Sequence, residues 1–72
     1  MGNFELVNCE KLLLEEIANP AMKRKDVALT YAMSLRNSQP PNWERVNKAI
    51  IARWSFSGLE YIKTQAWKVG QG

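Results

Sequence analysis

Proline residues divide this chain into segments that cannot belong to one continuous helix. Pro20 follows Asn19, and Pro40 and Pro41 are adjacent. Proline lacks the N–H that a helix interior needs, and it disfavours the helical conformation in the residue before it. Between these breaks the apolar residues recur at intervals of three and four, which indicates helices rather than strands. The sequence therefore predicts an all-α fold built from short helices.

The first predicted helix spans about residues 4–18 and ends at Asn19. Its core side is formed by apolar residues at helical spacing, namely Leu6, Leu13, Leu14 and Ile17. Leu12 falls on the opposite side, among glutamates. We expect Leu12 either to fill a gap in the packing or to face a partner.

The second predicted helix runs from Asp26 to about residue 37. Its start is placed at Asp26 because three cations in the first turn, Lys23, Arg24 and Lys25, would oppose the helix dipole. Its apolar stripe consists of Val27, Ala28, Tyr31, Ala32 and Leu35, widened by Leu29 and Met33. The residues left for water are Asp26, Thr30, Ser34 and Asn37. This pattern predicts a central helix that packs on more than one side.

The third predicted helix spans residues 43–54, with Asn42 as its N-cap. One side is apolar and holds Trp43, Val46, Ile50, Ile51 and Trp54. The other side holds Arg45, Lys48, Ala49, Ala52 and Arg53. The two sides separate at helical spacing, so the first should face the core and the second the solvent.

Residues 57–60, Ser-Gly-Leu-Glu, fit the capping-box pattern of a helix start, and Phe56 and Tyr61 are spaced as a hydrophobic staple. The fourth helix is predicted to run to about residue 68. Its core stripe is Leu59, Ile62, Ala66 and Val69. Trp67 lies off this stripe, beside Lys63, and is expected either to pack on the first helix or to face a partner. Residues 1–72 then form a single compact bundle of four short helices.

The composition excludes several classes of function. Cys9 is the one cysteine and there is no histidine, so an internal disulfide, the usual zinc and haem ligand sets and a histidine-activated nucleophile are absent. No glycine-rich phosphate loop occurs. We therefore expect no enzyme activity, cofactor or metal. No secretory signal or membrane-spanning run is present, which indicates a cytoplasmic protein without membrane contact.

The charge distribution favours nucleic-acid binding. The net charge is +3, but residues 20–72 hold nine Lys or Arg against three acidic residues. Arg45, Lys48 and Arg53 flank small alanines, which suits a helix that enters a major groove, and Lys63 and Lys68 would contact phosphates. Residues 25–35, KDVALTYAMSL, resemble the first helix of helix-turn-helix regulators, although the proline-rich connection that follows lacks their usual glycine turn. The resemblance implies duplex DNA binding.

The alternative is a protein-interaction domain, such as a small regulator, inhibitor or self-associating scaffold subunit. Three tryptophans, two tyrosines and two phenylalanines are many aromatic residues for so short a chain. Tryptophan and tyrosine are enriched in the residues that dominate binding energy at protein interfaces. Trp67 and Leu12 are the predicted contact residues for a protein partner or a second copy of the chain.

Overall fold

The computed structural model describes residues 8–71, which form three helices and no strand. These are α1 (Cys9–Ala18), α2 (Arg24–Leu35) and α3 (Trp43–Gln71). The predicted all-α class is therefore confirmed. The predicted bundle of four helices is not confirmed in that detail: the third and fourth predicted helices form the two halves of α3, which meet at the non-helical residue Ser55, directly after the predicted end of the third helix.

Helix α1 begins and ends at asparagines. The Asn8 side chain accepts a hydrogen bond from the Lys11 N–H at 3.0 Å, and Asn19 is the C-cap residue. The predicted end before Pro20 is confirmed. Leu13 and Ile17 are buried as expected, whereas the predicted residues 4–7 of this helix, with Leu6, lie outside the described residues.

Helix α2 begins at Arg24, two residues before the predicted start. Asp26 still stabilises the first turn, because its carboxylate accepts a hydrogen bond from the Lys23 N–H at 3.0 Å. It does so from the third helical position rather than as the N-cap. The negative charge that offsets the helix dipole, the Asp26 carboxylate, thus lies inside the first turn. The helix can therefore include the cations Arg24 and Lys25.

On part of the α2 surface, the buried and exposed residues are the reverse of the prediction. Thr30 and Ser34, expected to face water, are 8% and 0% exposed, while Leu29 and Met33 are 55% and 52% exposed. The Thr30 hydroxyl donates to the Glu16 carboxylate of α1 at 2.9 Å, and the Ser34 hydroxyl donates to the Thr30 carbonyl at 2.8 Å. Both buried hydroxyls are thereby satisfied, which removes most of the cost of burying them.

Helix α3 begins at Trp43 behind the predicted cap: the Asn42 side chain accepts a hydrogen bond from the Arg45 N–H at 3.2 Å. Five residues of its two predicted core stripes are buried: Val46, Ile50, Leu59, Ile62 and Ala66. Ile51 and Val69, placed in those stripes by spacing, are exposed. Each half of α3 therefore has more apolar surface than the neighbouring helices cover.

A single non-helical residue bends α3. Ser55 has φ 69° and ψ 178°, a region that glycine adopts far more readily than other residues. Gly58 is buried in the bend, where a Cβ atom would collide with the Cβ of Trp54. Ser57 lies inside the helix, with its hydroxyl 2.9 Å from that of Ser55, and Phe56 is exposed. The second half of α3 therefore begins after Ser55, two residues before the predicted cap at Ser57.

The core lies where the three helices meet. It is formed by buried aliphatic side chains from all of them together with Tyr31, whose ring tilts against Trp43 with 4.7 Å between centroids. The Tyr31 hydroxyl donates to Asn47 Oδ1 at 3.1 Å. Trp54 packs against the edge of this core, as its place in the apolar stripe predicts. No helix of the described chain is both long and apolar enough to cross a membrane.

Candidate interaction surfaces

Arg53, a predicted nucleic-acid contact, is engaged within the fold. Its guanidinium nitrogens donate to four backbone carbonyls at the end of α1 and in the following loop: Nη1 to Ile17 and Asn19 at 2.8 Å each, and Nη2 to Met22 at 2.8 Å and Pro20 at 3.3 Å. The same group lies 4.2 Å from the centroid of the Trp54 ring. Arg53 thus donates to carbonyls at and just after the end of α1, where the Asn19 carbonyl also accepts the Met22 N–H at 3.0 Å, and it joins α1 to α3.

Arg45 and Lys48 form surface ion pairs. Arg45 Nη1 lies 3.2 Å from Glu10 Oε2, and Lys48 Nζ lies 3.7 Å from Glu44 Oε2. Both cations remain largely exposed, and exposed ion pairs of this kind contribute little to stability. Either side chain could therefore exchange its carboxylate for another anion at small cost.

The second half of α3 carries the other predicted contacts. Lys63 and Lys68 are exposed, and Trp67 is 67% exposed. The sequence left Trp67 open between burial on the first helix and exposure, and the fold leaves it exposed. Leu12 is partly buried on α1. The predicted contact residues therefore do not form one cluster, since the bend at Ser55 separates Arg45 and Lys48 from the group around Trp67.

A groove runs between α1 and the first half of α3. It consists of two cavities of about 470 and 400 Å³ that share Leu14 and Ala18. Ala49 and Ala52 line the second cavity, so the alanines expected on an outer face lie beside α1. The first cavity is bordered by charges of both signs, including Glu10, Lys11 and Arg45. This groove offers no uniform charge to a polyanion.

A second groove lies between α2 and the end of α3, and we refer to it as the α2–α3 groove. Its volume is about 280 Å³, and it is lined by Leu29, Ala32, Met33, Arg36 and Val69. This surface is not predicted from the sequence, because helical spacing places its apolar members in the core stripes. A signal was nevertheless present: Lys25, Leu29, Ala32 and Arg36 have the spacing i, i+4, i+7 and i+11, which places two cations at the ends of an apolar row.

The groups at these surfaces differ in their chemistry and in their burial. The Cys9 thiol is buried, and no group of three potential metal ligands occurs among residues 8–71. Burial raises the pKa of Tyr31 above its usual 10.0, which keeps that hydroxyl protonated as a hydrogen-bond donor. The exposed groups are alkyl and aromatic side chains, ammonium and guanidinium groups, and scattered carboxylates.

Comparison with models of known protein families, with curated proteins and with solved structures finds no significant match to this chain, so its surfaces are the basis for assigning a function.

Proposed function

We propose that this protein is an interaction domain that binds an amphipathic helix of a partner protein in the α2–α3 groove. The observation that carries the proposal is the outward position of Leu29 and Met33 on a helix that buries Thr30 and Ser34. A helix that places leucine and methionine in water while it buries hydroxyls has an apolar surface that residues 8–71 do not cover. Such surfaces are typical of sites that receive a partner.

The exposed apolar side chains of this surface would supply part of the free energy of binding. Fully burying a leucine, methionine or valine side chain contributes about 1.5–3 kcal/mol, and the three exposed side chains of the groove are about half buried already. Covering Leu29, Met33 and Val69 would therefore contribute roughly 2–4 kcal/mol. Contacts from the apolar side chains of the partner itself would add to this.

The charges beside the groove favour an acidic partner. Lys25 and Arg36 are eleven residues apart, about three helical turns, and so lie on the same side of α2 at its two ends. If a second copy of α2 packed antiparallel on this row, Lys25 would meet Arg36 and the like charges would repel. A partner helix with leucines at its centre and glutamates at both ends would instead be attracted.

Two designed peptides test this proposal. Both are helices of about four turns with leucines at helical spacing; one carries glutamates at its ends and the other lysines. By fluorescence anisotropy at low salt, the acidic peptide should bind at least about tenfold more tightly, because only its charges complement Lys25 and Arg36. Met33→Glu should weaken that binding at least about tenfold, because it places a charge where an apolar side chain must be buried.

The matched control is Phe56→Glu. Phe56 is exposed like Met33 but lies at the bend of α3 rather than in the groove, so this variant should bind the acidic peptide as the parent protein does. Equal binding of the two peptides, failure of both to bind, or equal losses in the two variants would refute the proposed groove function.

Duplex DNA binding is a second candidate function, and the exposure of Arg45 and Lys48 favours it. Lys63 and Lys68 would add phosphate contacts, whereas Arg53 is held by backbone carbonyls. The resemblance of residues 25–35 to a helix-turn-helix motif points the same way. A mixed-sequence duplex should then bind with log K falling by about 0.9 per phosphate neutralised as log salt rises. Absence of binding at low salt would exclude this candidate.

A further inference from the structure

The second half of α3 has an exposed face distinct from the α2–α3 groove. Glu60, Thr64 and Lys68 are spaced by four residues and form one exposed row along the helix. Tyr61 and Trp67 lie three residues before and after Thr64, on opposite sides of this row. We call these five residues the Thr64 face. Val69 of the groove is about 140° away from Thr64 around the helix, so the two surfaces can be occupied independently.

The Thr64 face is complementary to itself. A two-fold axis through Thr64 places an identical helix antiparallel on the first, so that each residue meets the one equally distant from Thr64 in the other direction. Glu60 then faces Lys68 of the second copy, and Lys68 faces Glu60. The same operation keeps each lateral side of the row on its own side of the interface. Tyr61 therefore lies beside Lys68 of the second copy, and Trp67 lies beside Glu60 of the second copy, because the members of each pair are offset from Thr64 in the same sense.

We propose that this protein forms a homodimer in which the second halves of two α3 helices pack antiparallel about Thr64. A threonine at the crossing point is small enough for close approach of the helices. Trp67, 67% exposed in the monomer, becomes partly covered by Glu60 of the second copy, and Lys68 of the second copy lies beside the Tyr61 ring, which attracts a cation. The proposal concerns a surface separate from the partner groove and does not depend on it.

Charge specifies the antiparallel arrangement. In a parallel pairing, Glu60 would meet Glu60 and Lys68 would meet Lys68, and both contacts would be repulsive. Within the described residues neither Glu60 nor Lys68 forms an ion pair, so both are available to a second copy. Tyr61 already stacks with Arg24, whose guanidinium carbon is 4.7 Å from the ring centroid, and this contact holds the ring at one edge of the face.

The size of the interface sets the concentration range of the experiment. One pair of helices in contact over about four turns is smaller than the roughly 800 Å² per partner of a standard stable interface. The dimer should therefore be weak and concentration-dependent. Sedimentation equilibrium from micromolar to millimolar protein at low salt is the appropriate measurement, with far-UV circular dichroism as a check that each variant is folded.

Charge reversal identifies the pairing. Lys68→Glu and Glu60→Lys should each weaken dimerisation at least about tenfold, because each replaces two attractive contacts of the symmetric dimer by two repulsive ones. The double variant, with both reversals in one chain, should restore dimerisation to within about threefold of the parent protein. Such restoration occurs only if positions 60 and 68 meet across the interface.

The matched control is Lys63→Glu, which changes the net charge as Lys68→Glu does. Lys63 is about 100° away from Thr64 around the helix, outside the proposed contact, so this variant should dimerise as the parent does. A parent protein that remains monomeric at millimolar concentration, or a double variant as weak as the single ones, would overturn the proposal. Neither result would affect peptide binding in the α2–α3 groove, which Lys68→Glu should leave unchanged.

Discussion

At the scale of single residues, Arg53 shows how a side chain can be on the expected side of a helix and yet have a different role. Sequence spacing places it on the polar side of α3 with Arg45 and Lys48. In the fold the end of α1 lies beside that position, and the planar guanidinium donates to four carbonyls that no helical N–H can reach. The sequence predicts on which side of its helix a side chain lies, but the groups that this side chain contacts belong to another element.

Tyr31 provides a pH-dependent test of the core. Its pKa is raised because burial disfavours the charged phenolate, so the folded protein holds this proton at pH values where the unfolded chain loses it. The stabilisation is complete below the unfolded pKa of 10.0 and is lost as pH rises above it. In urea unfolding, the stability advantage of the parent over Tyr31→Phe should be constant from about pH 8 to 9 and shrink above about pH 10. An advantage unchanged at pH 11 would contradict this assignment.

At the scale of elements, α3 and α2 differ from prediction for separate reasons. In α3 the Ser57 to Glu60 pattern predicts a helix start capped by Ser57, but the non-helical residue is Ser55, and Gly58 packs against Trp54 inside the segment that follows. In α2 nearly every position beyond the polar four is apolar, so periodicity alone does not select one buried side. The tertiary contact between Thr30 and Glu16 selects it.

The bend in α3 predicts a stabilising substitution. The Ser55 backbone conformation costs about 1–3 kcal/mol for a residue with a Cβ atom, and glycine removes that cost while adding about 0.4–1 kcal/mol of unfolded-state entropy. Ser55→Gly should therefore raise the free energy of unfolding by about 1 kcal/mol in urea titrations. The control, Ser57→Gly, lies in helical backbone and should lower it by about 0.5 kcal/mol. Equal losses in both variants would show that Ser55 is unstrained.

At the scale of the whole molecule, stability depends on one small core to which all three helices contribute. A chain of 72 residues gains only a few kcal/mol from a single core. Arg53 and the Arg45–Glu10 pair join α3 to α1 at the surface, and the Thr30–Glu16 hydrogen bond joins α2 to α1. We expect the interior aliphatic side chains to contribute more to the free energy of unfolding than these surface contacts do.

Adjacent isoleucines in α3 test that expectation. Ile50 is fully buried and Ile51 is exposed. Ile50→Ala should lower the free energy of unfolding by about 2–5 kcal/mol, enough to leave much of the protein unfolded at 25 °C. Ile51→Ala makes the same chemical change outside the core and should cost less than about 1 kcal/mol. The helical circular dichroism signal and urea titrations measure both, and similar losses would contradict the described packing.

The sequence by itself determined the helical class, the end of α1 at Asn19, the start of α3 behind Asn42, and most of the buried stripe on α3. Caps, prolines and apolar spacing act within a few residues, so they can be read from the chain. Only the tertiary structure decided that Leu29, Met33, Val69 and Trp67 remain exposed and that Arg53 is used internally. The physical reason is that burial depends on the area that neighbouring helices can cover, and three short helices cannot cover every apolar side that this sequence provides.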